Sequence, residues 1–277
     1  MPIEFQVIIG IAYALLGLCL GSFSNVLIYR LSNHISLFEK SRSFCPKCEH
    51  EIKWYDNIPI ISYLVLKGKC RNCKEKISIQ YPIVEACGLI IGVACFLLNY
   101  YELDLLVGFE FIFNYKSIVF LFMAIILLNV SVIDHKTYEI PFELSIPFMI
   151  LCMGTYVADC VIAQDWGMWN VIGFAGPAVF LGLIYLLPLL IKKVEVMGLG
   201  DIILYSFIGL AFGLWQIILI IMISTLVCSI VELIKIKVTG EKKQIPFGPY
   251  IAGATVFCMF FGEYIVSLYL NLVGLGK

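Results

Sequence analysis

Along most of this chain apolar residues neither alternate nor recur as narrow stripes; they run unbroken for about the width of a bilayer. A hydrocarbon core about 30 Å thick takes roughly 17–25 apolar residues of helix. The first such run extends from about Phe5 to Tyr29 and ends at Arg30. A polar stretch, 31–80, then interrupts the pattern. Further runs cover about Tyr81 to Tyr100, Ser117 to Ile133, Phe142 to Ala163 and Asn170 to Ile191. The stretch opening at Asp201 is too long for one crossing. Splitting it near Gly213 and Leu214 leaves a short sixth span and a seventh that ends near Lys235 and Lys237. An eighth runs from about Ile245 to Val273. The pattern predicts an all-α polytopic membrane protein of about eight transmembrane helices, with a small cytosolic insertion between the first two.

Composition sharpens this picture. Of 277 residues 61% are hydrophobic and 14% charged, against about 25% charged in an ordinary soluble domain. The net charge of −1 conceals an asymmetry, because ten of the nineteen Lys and Arg lie between Arg30 and Lys76, beside only five acids. Basic loops mark the cytosolic side. Counting across from there, Lys192, Lys193 and the loop KVTGEKK at 237–243 fall in the cytosol, and Glu102, Asp104 and Glu110 fall outside with both termini. A seven-span count would move KVTGEKK outside. The opening MPIEFQV lacks the basic region of a cleavable signal, so the first run is expected to span and stay. No internal repeat stands out. Small-residue runs at Gly17–Ser24 and Gly173–Gly182 suit close helix–helix approach.

Cysteine usage divides in two. Cys19, Cys87, Cys95, Cys152, Cys160, Cys228 and Cys258 lie in or beside apolar runs, where free cysteine packs as a small hydrophobe. Cys45, Cys48, Cys70 and Cys73 form two CxxC pairs in the polar stretch. Each pair directs two sulfurs at one point, and four thiolates make a closed, structural zinc site with no open position for water. Two disulfides are the alternative, but a cytosolic location keeps thiols reduced. His34 and His50 are read as solvated loop residues.

Two aspartates stand out by position. Asp134 ends the third span in IDHKTYEIP, and Asp201 begins the sixth in MGLGDIIL, both at the cytosolic edge. If their helices are neighbours the carboxyls meet and share a proton, one serving as base and the other as acid. Gly198 and Gly200 would provide a tight turn and close backbone approach to a substrate. Position alone also allows each aspartate only to cap a helix or to snorkel to water at a span end, with Asp201 placed as an N-cap. Among acids inside apolar runs (Glu85, Glu143, Glu232, Glu263), Glu85 lies about one turn into the second span; it is a functional candidate or a hydrogen-bond partner for a neighbouring helix. HExxH, GxSxG, GxGxxG and the P-loop pattern are absent, and nucleic acid is not expected as a partner. A proton-coupled transporter and a zinc-bearing scaffold are the competing readings.

In order and spacing GSFSNVLIYRL at 21–31, both CxxC pairs, WYDNIPIISYL at 54–64 and QYPIVE at 80–85 resemble the type IV prepilin peptidases. So do Asp134 with Ile140–Pro141, GLGD at 198–201 and PFGPY at 246–250. The resemblance implies an aspartic peptidase of the bacterial inner membrane, with Asp134 and Asp201 as the catalytic pair at the cytosolic face. It implies cleavage of the basic leader from prepilins and pseudopilins after a glycine, then N-methylation of the new terminus with S-adenosylmethionine. It divides the chain into a first transmembrane helix, 1–30, a methyltransferase-associated cysteine module, 31–80, and a peptidase bundle, 81–277. Gln80 and Ile203 depart from the family pattern, which often has Arg and Lys there. No S-adenosylmethionine ligand is assigned.

Overall fold

The computed structural model of the protein describes residues 3–36, 43–101, 115–193, 197–240 and 244–274; the acidic loop at 102–110 and the last three residues of KVTGEKK lie outside them. The described residues form helices α1 (Ile3–Ser32), α2 (Ile61–Val65), α3 (Gln80–Tyr101), α4 (Tyr115–Thr137), α5 (Phe142–Ala163), α6 (Met168–Lys192), α7 (Leu199–Phe212), α8 (Leu214–Thr239) and α9 (Gly248–Leu272). A 3-10 turn at Trp54–Asn57 precedes α2, and pairing outside helices is limited, among these residues, to two isolated bridges. Among the described residues seven helices are long and apolar enough to cross a membrane. The eighth apolar helix, α7, has only 14 residues, about 21 Å at 1.5 Å per residue. All-helical architecture follows from the solvent, since lipid offers no hydrogen bonds and each spanning segment must satisfy its own backbone.

The chain divides into two compact units, Met1–Ile125 and Ile126–Lys277. In the first, α1 packs along α3 with its glycines against theirs. A Cβ added at Gly17 would overlap the carbonyl oxygen of Gly88, and one added at Gly92 would overlap that of Tyr13. Two glycines four apart on each helix, Gly17 with Gly21 and Gly88 with Gly92, thus bring the backbones together where lipid supplies no hydrophobic drive for association. Only the α1 half of that arrangement was among the expected small-residue runs; GLIIG at 88–92 carries the other. Tyr13 also reaches Ser117 on α4, with 2.6 Å between the hydroxyl oxygens.

The second unit is built around α7, which packs against α5, α6, α8 and α9. Most of its residues are buried, including Tyr205, Ile208 and Leu210. Gly173 of α6 and Gly209 of α7 meet with no room for a Cβ on either. The expected break is at Gly213, whose φ of 80° and ψ of 174° separate α7 from α8. A break in a membrane helix frees a carbonyl. Asn170 of α6 compensates by donating to the Leu210 carbonyl oxygen at 3.0 Å.

Gly88→Leu is expected to force α1 from α3 and lower the thermal midpoint in detergent, at a cost of at least the roughly 1–3 kcal/mol typical of overpacking. Gly154→Leu, at a position whose added Cβ meets nothing within 4 Å, should leave the midpoint unchanged when both are followed by fluorescence-detected size exclusion.

Candidate active site and metal centre

Asp134 lies in the last turn of α4, which continues past Ile133 to Thr137. Across from it α9 begins, with Gly248 as first helical residue and Pro249 as second. The opening N–H groups of a helix have no partner within it. That of Gly248 donates to Asp134 Oδ2 at 2.8 Å. A Cβ at Gly248 would stand 2.9 Å from that same oxygen, so any side chain there would push the donor away from the carboxyl. PFGPY therefore supplies the cradle for Asp134, a role that motif matching alone did not reveal.

Asp201 is the third residue of α7, and the N-cap is Gly198, with φ −72° and ψ 141°. This corrects the reading of Asp201 as N-cap. The helix starts at Leu199 because Gly198 is extended, and the Asp201 carboxyl reaches back to accept the Gly198 N–H, as the acid of a capping box does. The glycines also act differently from the expected tight turn. Gly198 has ordinary extended backbone, and Gly200 is helical, with a would-be Cβ 3.0 Å from Cβ of Ile140. Gly200 makes room for the Ile140–Pro141 segment.

Both carboxyls are buried, and the charge of Asp134 acts on Asp201. Each takes a backbone N–H at the start of a helix, where the macrodipole favours negative charge. One turn along α7 from Asp201, Tyr205 shares a hydrogen bond with Ser224 at 2.6 Å, and its ring lies 6.2 Å from that of Phe247. Nearby on α8, Glu232 accepts from Lys235 and from the Tyr250 hydroxyl, at 2.6 and 2.7 Å. Glu143 and Glu263 are exposed. A buried carboxyl with a fixed donor can hold a proton and exchange it with a bound water or carbonyl.

Glu85 belongs to the other unit. Its Oε1 accepts from Ser22 of α1 at 3.0 Å and its Oε2 from the Ile60 backbone N–H at 2.7 Å. Ile60 has φ 62° and ψ −49°, and the Ile61 N–H closes on the Pro59 carbonyl oxygen at 2.6 Å. That is a γ-turn of the strained hand, rare for a β-branched residue. The Glu85 carboxylate holds it against α1 and α3. Of the two sequence readings of Glu85, this geometry favours the hydrogen-bond partner, although the partner is a loop as well as a helix.

The four cysteines of the polar segment converge, with one ligand atom from each within 4.8 Å of the others. Their two turns are copies of one another. Cys45 N–H donates to the His50 carbonyl oxygen as Cys70 does to Glu75, and Ile52 N–H donates to Ser43 as Ile77 does to Gly68. Glu49 and Lys74 both take positive φ, 55° and 61°. An internal repeat is thus present, short and marked in sequence only by CxxC and the Ile four residues beyond it, at Cys45–Ile52 and Cys70–Ile77. Backbone N–H groups point at sulfur; that of His50 draws the Cys48 thiol down to about 7. Arg71, inside the second turn, makes a bidentate pair with Asp56 at 2.6 and 2.7 Å and lies over the Tyr55 ring. The guanidinium holds the Asp56 carboxyl below its usual range.

Fold and site define a polytopic membrane protein with two buried carboxyls, each accepting an N–H from the start of a helix, and a four-thiol cluster capable of holding a metal ion. Residues 15–99 match the bacterial peptidase A24 N-terminal domain, and residues 121–233 match the type IV leader peptidase family. The chain belongs to that family. It is 34% identical over 257 residues to a prepilin leader peptidase/N-methyltransferase of Vibrio cholerae, covering 90% of this chain and 96% of the relative. A protein of the same description from Stutzerimonas stutzeri is 31% identical, covering 99% of each chain. One from Pseudomonas aeruginosa is 32% identical, over 94% of this chain and 93% of its own. No solved structure matches the chain.

Glu85→Gln leaves an amide where a carboxylate accepts two hydrogen bonds. Loss of a buried charge-assisted bond costs about 2 kcal/mol, roughly 30-fold in a local opening equilibrium. Hydrogen exchange should accelerate by about that factor across residues 60–66 and stay unchanged in α7 and α9.

Proposed function

We propose that this protein removes the leader from type IV prepilins and pseudopilins at the cytosolic face of the bacterial inner membrane and then methylates the new N-terminal amine. The single observation that carries the peptidase reading is that Asp134 and Asp201 are both buried carboxyls, each accepting a backbone N–H at a helix start, with the charge of Asp134 acting on Asp201. In this reading the substrate's apolar helix lies in the bilayer beside the bundle, with its basic leader in the cytosol. The scissile glycine brings a backbone free of side chain to the pair. One carboxylate takes a proton from water while the other, protonated, donates to the scissile carbonyl oxygen. Water then adds to the carbonyl carbon, and collapse of the tetrahedral intermediate breaks the peptide bond as the leaving amine gains a proton. The Gly248 and Gly198 N–H groups each donate to one of the two carboxyls and so fix its orientation.

The methyl donor is assigned as S-adenosylmethionine because the relatives are named N-methyltransferases; no residue here is assigned to it. The cysteine cluster is assigned to structural zinc. Sulfurs around zinc at about 2.3 Å stand about 3.8 Å apart, and Cys45 and Cys73 have their sulfurs at 3.9 Å. The metal, when bound, would be held by Cys45, Cys48, Cys70 and Cys73 and would staple a segment too small to fold on its own core. We read the chain as a first helix to residue 30, this module to residue 80, and the peptidase bundle beyond.

The deciding experiment incubates detergent-purified protein with a prepilin and S-adenosylmethionine, and follows product masses. Wild type should release the leader and add a methyl group. Asp134→Asn and Asp201→Asn should each lower cleavage by about 10²–10⁴-fold or more while keeping the wild-type elution profile. Wild-type rates in either variant would overturn the mechanism. Cys45→Ser with Cys48→Ser should lose bound zinc by metal analysis; unchanged zinc would refute the site.

A further inference from the structure

The segment 54–65 carries an apolar surface that the peptidase reading does not use. Trp54 is 80% exposed, Ile61 57%, and Leu64 and Val65 67% each. Ile61, Leu64 and Val65 follow the i, i+3, i+4 spacing of α2 and share one face. Ile58 and, just before α3, Ile79 are exposed as well. Such a cluster of large apolar side chains marks an interaction surface.

Its depth identifies the partner. The Glu85 carboxylate that holds the Ile60 N–H lies five residues inside the start of α3, about 7.5 Å along the axis. Ser22, the other partner of that carboxylate, lies ten residues before the end of α1, about 15 Å along it. The γ-turn at Ile60 is therefore level with parts of two membrane-spanning helices, and α2 begins at the next residue. Polar residues would be expected on an insertion wholly in water. Here tryptophan and aliphatic residues cluster, with Lys53 and Lys67 at the two ends. Trp at headgroup level, aliphatics below it and lysines at the margin are the signature of an element lying in the interface.

We propose that residues 54–65 form an interfacial element that inserts Trp54, Ile61, Leu64 and Val65 into the cytosolic leaflet, with Lys53 and Lys67 facing its anionic headgroups. The polar insertion is thus a module seated on lipid, with Glu85 pinning its insertion depth from inside the bundle. Bilayer rather than protein is the occupant because the patch continues the lipid-facing surface of α3 through Ile79 and Ile83, both exposed.

The test uses full-length protein with Trp166, Trp169 and Trp215 changed to Phe, so that Trp54 alone emits, reconstituted into vesicles of phosphatidylcholine and phosphatidylglycerol. Phosphatidylcholines brominated at successive acyl positions serve as depth probes. Trp54 emission should be blue-shifted from that of tryptophan in water, and quenched several-fold more by bromines near the headgroup than by those at the chain end. Leu64→Glu with Val65→Glu, at positions already exposed and so compatible with folding, should abolish the quenching while bound zinc and elution profile stay unchanged. Leu64→Ser alone should weaken it. Water-like emission without bromolipid quenching would overturn the proposal. So would a Trp54 signal insensitive to bromolipid but shifted by added prepilin, which would make the patch a substrate-docking surface.

Discussion

A carboxyl group held out of water at a membrane helix end needs a donor, and in a chain that is almost all helix the unclaimed donors are the first N–H groups of other helices. Asp134 takes its donor from Gly248, where α9 begins. Asp201 takes one from Gly198, where α7 begins. Much of the second unit can be read from that need. Gly248 must lack a side chain for its N–H to reach Asp134, and Gly200 must lack one so that Ile140 can pack beside the Asp201 turn. The short α7 starts where its carboxyl is required and stops at Gly213, with Asn170 receiving the carbonyl that the stop releases.

The first unit answers the same scarcity of partners differently. Lipid gives no drive to bring two apolar helices together, so α1 and α3 associate through backbone contact at paired glycines. Into this pair Glu85 brings a charge, and its two oxygens are matched by the Ser22 hydroxyl and the Ile60 N–H. A strained turn persists when its surroundings over-determine it. Here a buried carboxylate does so, and the turn in turn sets the height of the cysteine module relative to the helices that flank it.

Within the module, symmetry replaces a core. Two backbone turns of identical hydrogen-bonding pattern present their sulfurs to one point, and the Arg71–Asp56 pair ties the second turn to the segment before α2. An exposed ion pair contributes little by itself. Its bidentate geometry and the stacking on Tyr55 chiefly orient a small segment that has few apolar residues to bury.

What sequence by itself determined follows from solvent and spacing. Unbroken apolar runs define the spanning helices to within a few residues, because a bilayer imposes length and internal hydrogen bonding. The run opening at Asp201 is too long for one crossing and so required a break near Gly213, and two CxxC pairs announced a four-sulfur cluster. Local pattern was silent wherever the partner is remote in sequence. Asp201 looked like an N-cap and is the third helical residue, because only the observed backbone says that Gly198 is extended. Gly248 was one letter in a motif until α9 was seen to aim its N–H at Asp134, 114 residues away. For Glu85 the sequence leaves open a functional role or a hydrogen bond to a neighbouring helix, because its partners, Ser22 and Ile60, come from another helix and from a loop. Tertiary structure decided these points, since burial and hydrogen-bond partners of a single polar residue in a membrane protein depend on which helix end or turn folds against it.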